Sequence, residues 1–172
     1  GHESILRALK ELGAALDEKD NDGETPAHRA ATNGHESILR ALKELGAALD
    51  EKDNDGLTPA HGAAGSGHES ILRALRELGA ALDEKDNDGE TPAHGAAENG
   101  HESTLRALKE LGAALDEKDN KGRTPVHRAA ANGHESTLRA LKELGAALDE
   151  KDYDGCTPAH YAAASGHEST LR

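Results

Sequence analysis

The chain repeats itself with a period of 33 residues. The segment 53–85 returns with few changes as the segments 20–52, 86–118 and 119–151. A unit this short cannot bury its own apolar face, so it must pack against the copies before and after it. The repetition therefore predicts an elongated stack of equal units, and not a domain built around one central core.

The repeat divides the whole chain, residues 1–172, into one domain of consecutive units. A partial unit over 1–19 precedes the four full units, and a second partial unit over 152–172 follows them. Natural arrays usually carry polar capping units at their ends. We therefore expect either that the ends were trimmed or that they meet another molecule.

One motif, Thr-Pro-x-His-x-Ala, stands at the same place in each copy. It begins at Thr25, Thr58, Thr91, Thr124 and Thr157, and a Gly-His pair follows it in each full unit. This pattern resembles the ankyrin repeat family. The resemblance covers the whole chain and implies an all-α ankyrin repeat solenoid, in which helix–turn–helix units are joined by short β-turn or hairpin tips. The chain departs from the family pattern in having Ala or Val between the Pro and the His.

Each unit is predicted to form two helices. Thr58 is a suitable N-cap, Pro59 suits the first helical position, and Gly67 is placed to end this short first helix. The second helix is predicted over 68–78, with an apolar stripe made of Ile71, Ala74, Leu75 and Leu78. Its other face carries Glu69, Arg73 and Glu77, which we interpret as a solvated charged face.

The composition limits the classes of function. A net charge of −13 argues against binding to nucleic acid and to anionic membrane surfaces. No apolar run is long enough to span a bilayer, and no charged-then-apolar leader precedes the first unit. The one cysteine excludes an internal disulfide framework and fits a reducing compartment or a recombinant product. We expect a soluble protein whose compartment the sequence does not name.

The sequence predicts no metal, no cofactor and no enzyme activity. The eleven histidines occupy two places in the repeat, and the resemblance implies that they link loops and neighbouring units by hydrogen bonds. The acidic tip 18–23 resembles the start of a calcium loop, but Arg29 stands where that loop needs a bidentate Glu. Cys156 occurs in one copy only, at a position that is Glu, Leu or Arg elsewhere, so we interpret it as a surface residue and not as a nucleophile.

The differences between the copies predict a binding surface. They concentrate at the turn tip, in the row Glu24, Leu57, Glu90, Arg123 and Cys156 and at Lys121, where the other copies have Asp. A second row, Arg29, Gly62, Gly95, Arg128 and Tyr161, lies on one face of the first helix. In ankyrin repeats this region is the concave groove that grips partner proteins. The alternative interpretation is that these positions are tolerant exposed sites in a recently duplicated or consensus-built array.

The predicted anchors of this surface are the residue types that most often anchor interfaces. They are Lys121, Arg123, Arg128, Tyr153 and Tyr161, and they favour a partner protein with an acidic, partly apolar patch. The leading hypothesis is a monomeric, non-catalytic recognition scaffold of engineered or consensus-derived origin. The alternatives are a natural array from a recently expanded family, and a structural building block that assembles by end-to-end stacking of its half-unit ends.

Overall fold

A computed structural model describes residues 2–166 as a stack of helical units, and it assigns no β-strand among them. The first helices of the units are α2 (Pro26–Thr32), α4 (Pro59–Gly65), α6 (Pro92–Glu98), α8 (Pro125–Ala131) and α10 (Pro158–Ala164). The second helices are α1 (His2–Glu11), α3 (Glu36–Glu44), α5 (Glu69–Glu77), α7 (Glu102–Glu110) and α9 (Glu135–Glu143). The expected all-α repeat fold is confirmed.

The local signals place the helix ends as predicted. Thr58 is the extended N-cap of α4, with φ −101° and ψ 167°, and Pro59 is its first residue. After α4, Gly67 has a φ of +77°, and a Cβ on this residue would lie 2.9 Å from Nδ1 of His101 in the next unit. Both the left-handed backbone and the close approach of the next unit therefore require glycine at this position.

The helices form two layers that run the length of the stack. Each first helix packs against the first helix of the next unit, from α2 to α10, and each second helix packs likewise from α1 to α9. Within a full unit the two helices also pack against each other. Contacts therefore join each unit to its nearest neighbours, which is the arrangement of a solenoid.

Small residues and leucines build the core. Ala60, Ala63 and Ala64 of α4 are fully or almost fully buried, and their size lets neighbouring first helices approach closely. The second helix buries Leu72 completely, although the predicted stripe did not include it, and Leu78 of the stripe is only partly buried. The apolar face is wider than predicted because α5 packs against three helices, α3, α4 and α7.

The charged face of the second helices joins consecutive units. Arg73 donates to Glu69, with Nη2 2.8 Å from Oε1, and to Glu110 of the next unit, with Nη2 2.7 Å from Oε2. The side chains stay about half exposed, so each pair stabilises the fold little. The predicted neighbour Glu77 pairs instead with Arg40 of the preceding unit.

The two partial units are described only in part. The first contributes α1 and the last contributes α10. The predicted beginning at Gly1 and the predicted end of the last unit at 167–172 lie outside the described residues. Across 2–166 none of the helices has the length and apolar content needed to cross a membrane.

Candidate recognition face

A buried histidine fixes each tip to the unit before it. Nδ1 of His61 lies 3.0 Å from the backbone N of Thr58, and Nε2 lies 3.1 Å from the carbonyl oxygen of Glu90 in the next unit. Because a backbone N–H can only donate, Nδ1 accepts, and the neutral ring carries its proton on Nε2, which donates to the carbonyl. The same link to the next unit joins His28 to Leu57, His94 to Arg123 and His127 to Cys156.

The bond that Nδ1 accepts needs the neutral form of the ring, whereas Nε2 can donate in either form. Burial lowers the pKa of His61 to about 4, and it also lowers the pKa of His94 and of His127. The structural role that the resemblance implied for the motif histidines is therefore what the structure shows. The histidines of the Gly-His pairs also link units, since Nε2 of His68 lies 3.0 Å from the carbonyl oxygen of Thr32 in the preceding unit.

A constant aspartate shapes the tip of each unit. Oδ1 of Asp86 accepts the backbone N–H groups of Asp88, at 2.9 Å, and of Glu90, at 2.8 Å. The equivalent carboxylates of Asp20, Asp53, Asp119 and Asp152 make the same two bonds. The backbone of the tip row is thus held by constant groups, which leaves the row's side chains able to vary.

Neighbouring tips are joined by main-chain and amide hydrogen bonds. The backbone N of Asn87 donates to the carbonyl oxygen of Asp55, at 2.9 Å, and its Nδ2 donates to the carbonyl oxygen of Asn54, at 3.0 Å. Tyr153 occupies the asparagine position in the last unit and keeps only the main-chain bond, to Lys121. Its ring lies beside Gly122 and is 72% exposed.

The two variable rows lie side by side on one surface. In the first full unit, Nη2 of Arg29 lies 2.6 Å from Oδ2 of Asp20 and 3.2 Å from Oε2 of Glu24. In the last unit, the hydroxyl of Tyr161 donates to Oδ2 of Asp152 at 2.7 Å. We call this surface the recognition face and define it by Glu24, Arg29, Leu57, Gly62, Glu90, Gly95, Lys121, Arg123, Arg128, Tyr153, Cys156 and Tyr161. None of these residues is fully buried.

The two arginines of the fourth unit are already paired within the chain. Arg128 forms an ion pair with Glu90 of the preceding unit, and Nη2 of Arg123 lies 2.7 Å from Oδ2 of Asp119. The arginine side chains are 16–20% exposed. The pairs neutralise the positive charge that the sequence suggested for this unit. Gly95 leaves Glu90 without an arginine from its own unit, but the sequence does not show that Arg128 of the next unit reaches it.

The electrostatics of the face follow from these contacts. Burial alone would raise the pKa of Asp119, but hydrogen bonds from the Arg123 side chain and from backbone N–H groups hold it below its ordinary value. Burial and the bond to Asp152 raise the pKa of Tyr161 to about 12, so this tyrosine is a neutral donor. Burial raises the pKa of Asp86, a carboxylate that has no arginine of its own unit beside it.

The described part of the recognition face has no cluster of side chains suited to binding a metal ion. Within 2–166, no three or more His, Cys, Asp or Glu side chains are placed to hold a metal ion. Cys156 is partly buried, and its main chain holds the tip, accepting from Nε2 of His127 at 3.3 Å. Leu57 has the same main-chain role through His28.

The family model of ankyrin repeats, which spans three copies, matches residues 1–86, 45–119, 78–152 and 108–172. These overlapping matches leave no part of the sequence uncovered. The chain belongs to the ankyrin repeat family. Ankyrin repeats are generally protein–protein interaction modules and are typically non-catalytic. A comparison with curated proteins finds no match.

The ankyrin repeat fold brings together the residues that the sequence predicted, but not as independent contacts. Arg29 and Tyr161 bond to the aspartate of their own unit, and Arg123 and Arg128 are engaged with carboxylates. Lys121 and Tyr153 are exposed. Their roles in binding stay predictions.

Proposed function

We propose that this chain is a non-catalytic scaffold that recognises a partner protein through the recognition face. One observation carries the proposal. Most of the differences between nearly equal units lie on a single surface, whose backbone is held by constant histidine and aspartate groups. A rigid frame with variable side chains on one face is the arrangement that binding surfaces use. The near identity of the units favours an engineered or consensus-derived origin.

The partner is proposed to offer an acidic, partly apolar patch to the fourth and fifth units. Tyr153 supplies an exposed aromatic ring, and Lys121 on the adjacent tip supplies an exposed cation. Tyrosine is enriched among interface anchors. Because Arg123 and Arg128 are paired with Asp119 and Glu90, they shape and rigidify this part of the face more than they add charge to it.

The proposal is tested with the two substitutions that restore the residues of the other units. Lys121→Asp and Tyr153→Asn together remove the exposed cation and ring while keeping the tip backbone. A photo-crosslinking group at residue 154 is used to identify the partner from a lysate, and the affinity of the purified partner is then measured by calorimetry. We expect the double variant to weaken binding by at least about tenfold, a typical anchor loss.

The matched control is Lys109→Ala with Lys142→Ala, at exposed positions of the second helices. It should leave the affinity within about twofold, because surface substitutions outside an interface have small effects. Equal losses in the control and in the double variant, with both folded, would place the binding surface elsewhere.

A second candidate function is end-to-end assembly. Around α1 the structure exposes Ile5, Leu9 and Leu12, the last being 85% exposed. Beside it lies a groove of about 910 Å³, lined in part by Leu6, Pro26 and Ile38. An apolar surface of this kind is suited to packing against the end of another stack.

Sedimentation velocity separates the two candidates. Assembly predicts a sedimentation coefficient that rises with protein concentration, and Leu9→Glu with Leu12→Glu should abolish the rise. A coefficient that does not depend on concentration would contradict assembly and leave the recognition proposal intact.

A further inference from the structure

The outer oxygen of the tip aspartate is bound by a donor in three units. Oδ2 of Asp20 lies 2.6 Å from Nη2 of Arg29, and Oδ2 of Asp152 lies 2.7 Å from the hydroxyl of Tyr161. Oδ2 of Asp119 accepts from Nε of Arg123 at 2.7 Å. The inner oxygen is always occupied by two backbone N–H groups. The carboxylate is therefore held in one orientation, with Oδ2 directed to the recognition face.

The second and third units lack this donor. Gly62 and Gly95 stand at the place of Arg29 and Tyr161, and the tip row offers Leu57 and Glu90, which cannot donate from their side chains. Among the described contacts, Oδ2 of Asp53 and Oδ2 of Asp86 accept no side-chain hydrogen bond. Both carboxylates remain partly exposed.

The room for a side chain at the glycine position differs between the two units. A Cβ on Gly95 would meet only backbone atoms of Gly65, at 3.7 Å and beyond, so a side chain fits at residue 95. A Cβ on Gly62 would lie 2.3 Å from Oγ1 of Thr32, so a side chain at residue 62 fits only if Thr32 moves. Both carboxylates are partly exposed.

We propose that the carboxylates of Asp53 and Asp86 receive arginine side chains of the partner, each taking the place that Arg29 occupies over Asp20. The inference rests on the proposed recognition function. It states that the part of the partner that contacts the two central units is a basic segment. A guanidinium suits the place because the chain itself puts one there in the first and fourth full units.

The charge on these two tips is mainly acidic, although Arg128 of the next unit pairs with Glu90 and lies near Asp86 and Asp88. The exposed Asp55 and Asp88 lie on the same two tips, and the chain as a whole carries a net charge of −13. Burial raises the pKa of Asp86, and an incoming cation would stabilise its ionised form. The negative net charge also speeds the approach of a cationic ligand to the chain. The central units thus complement the fourth and fifth, where an exposed Lys121 and Tyr153 favour an acidic and apolar contact.

The test uses a fluorescently labelled tetra-arginine peptide and the full chain, with anisotropy measured at about 150 mM salt so that distant charges are screened. The variant Asp53→Asn with Asp86→Asn keeps Oδ1 as the acceptor for the tip backbone and removes both charges. The matched control, Asp83→Asn with Asp116→Asn, removes two charges at exposed loop positions. Thermal unfolding followed by circular dichroism checks that both variants are folded.

We expect the D53N/D86N pair to weaken peptide binding by about tenfold, the effect of losing charge-assisted hydrogen bonds, and the control pair by less than about twofold. Equal weakening in both variants, or no binding by the unaltered chain, would overturn the inference.

A second experiment places a guanidinium over Asp86 by a substitution in the chain itself. Gly95→Arg should occupy Oδ2 of Asp86 and weaken peptide binding more than Ser70→Arg, which adds the same charge on the exposed side of α5. Equal effects of the two would count against the inference. Because the crosslinking test of the recognition face does not depend on the partner's charge, a failure here would leave that proposal standing.

Discussion

Two threonines stand out at the scale of single residues. Thr104 in α7 and Thr137 in α9 are fully buried, and their hydroxyl groups have no hydrogen-bond partner. The equivalent residues of the earlier units are Ile38 and Ile71, and Ile71 is fully buried as well. The fold therefore accepts an apolar side chain at this place, and each threonine contributes an unsatisfied polar group to the core.

Replacing these hydroxyls by methyl groups should stabilise the chain. We expect Thr104→Val and Thr137→Val each to raise the free energy of unfolding by about 1 kcal/mol, because valine has the shape of threonine without the buried hydroxyl. Urea denaturation followed by circular dichroism measures the change. Thr32→Val, at an exposed position, is the control and should stay within about 0.5 kcal/mol. A loss of stability at residues 104 and 137 would contradict this interpretation.

Two glycines inside helices give a second prediction. Gly95→Ala should raise the free energy of unfolding by about 1 kcal/mol, since glycine is that much poorer than alanine in a helix and the added Cβ meets nothing closer than 3.7 Å. Gly62→Ala should gain less, because its Cβ meets Oγ1 of Thr32 at 2.3 Å. Adding Thr32→Ala to Gly62→Ala should restore the missing gain. Equal effects of the two single changes would show that Thr32 moves aside without cost.

At the scale of helices and loops, the histidine hydrogen bonds hold each first helix against the tip of the next unit. Each joins the start of a first helix to the tip of the next unit through a ring that accepts at Nδ1 and donates at Nε2, as at His61. A protonated ring cannot accept, so protonation breaks the link to Thr58. Protonation therefore weakens the start of the first helix, while Nε2 can still donate to the next unit.

The pH dependence has a definite sign. The pKa of His61 in the folded chain is about 4, below its ordinary value of 6.5, so between these values the unfolded chain binds more protons and stability falls as pH falls. His61 alone should lower the free energy of unfolding by about 2 kcal/mol between pH 7.5 and pH 5. Urea titrations at the two pH values measure it.

His61→Gln provides the comparison for this prediction. The variant starts from a lower stability at pH 7.5, but its further loss on going to pH 5 should be smaller by the contribution of His61. An unchanged pH dependence in the variant would mean that His61 does not titrate in this range.

Helix positions were predictable because Thr58, Pro59 and Gly67 are local signals, each of which acts through its own backbone. The placement of the two variable rows on one surface was also predictable, since spacing along one helix fixes which residues share a side. The pairing of Arg128 with Glu90 could not be predicted, because it depends on which side chains of the neighbouring unit come within reach. The same holds for Arg73, whose second partner lies 37 residues away.

At the scale of the whole molecule, stability is distributed over a series of similar interfaces between units. Every unit contacts its nearest neighbours through the same helices, and the histidine link recurs from unit to unit. The energy of such a stack is close to a sum of unit terms and joint terms. Lengthening the chain by a whole unit should therefore leave the existing joints unchanged.

Duplicating residues 53–85 within the chain tests this additivity. We expect the lengthened protein to fold, with a denaturant m-value larger by about a fifth, in proportion to the added surface that becomes buried. Urea denaturation measures the m-value, and far-ultraviolet circular dichroism measures the added helix. Inserting residues 53–68 alone is the control, because it breaks the register and should destabilise the stack. An unchanged m-value for the full duplication would contradict the additive model.

Tyr153 also affects how the fifth unit is attached to the fourth. The row of asparagine side-chain hydrogen bonds that joins the tips ends at this residue. The histidine bond between the same two units, from Nε2 of His127 to the carbonyl oxygen of Cys156, is 3.3 Å long, whereas the equivalent bonds measure 2.9–3.1 Å. The tip of the fifth unit is thus attached to the fourth by one hydrogen bond fewer than the other tips are to theirs. A ligand that contacts both the Tyr153 ring and the tip of the fourth unit would add a contact where this bond is missing, so binding should stabilise the attachment of the fifth unit.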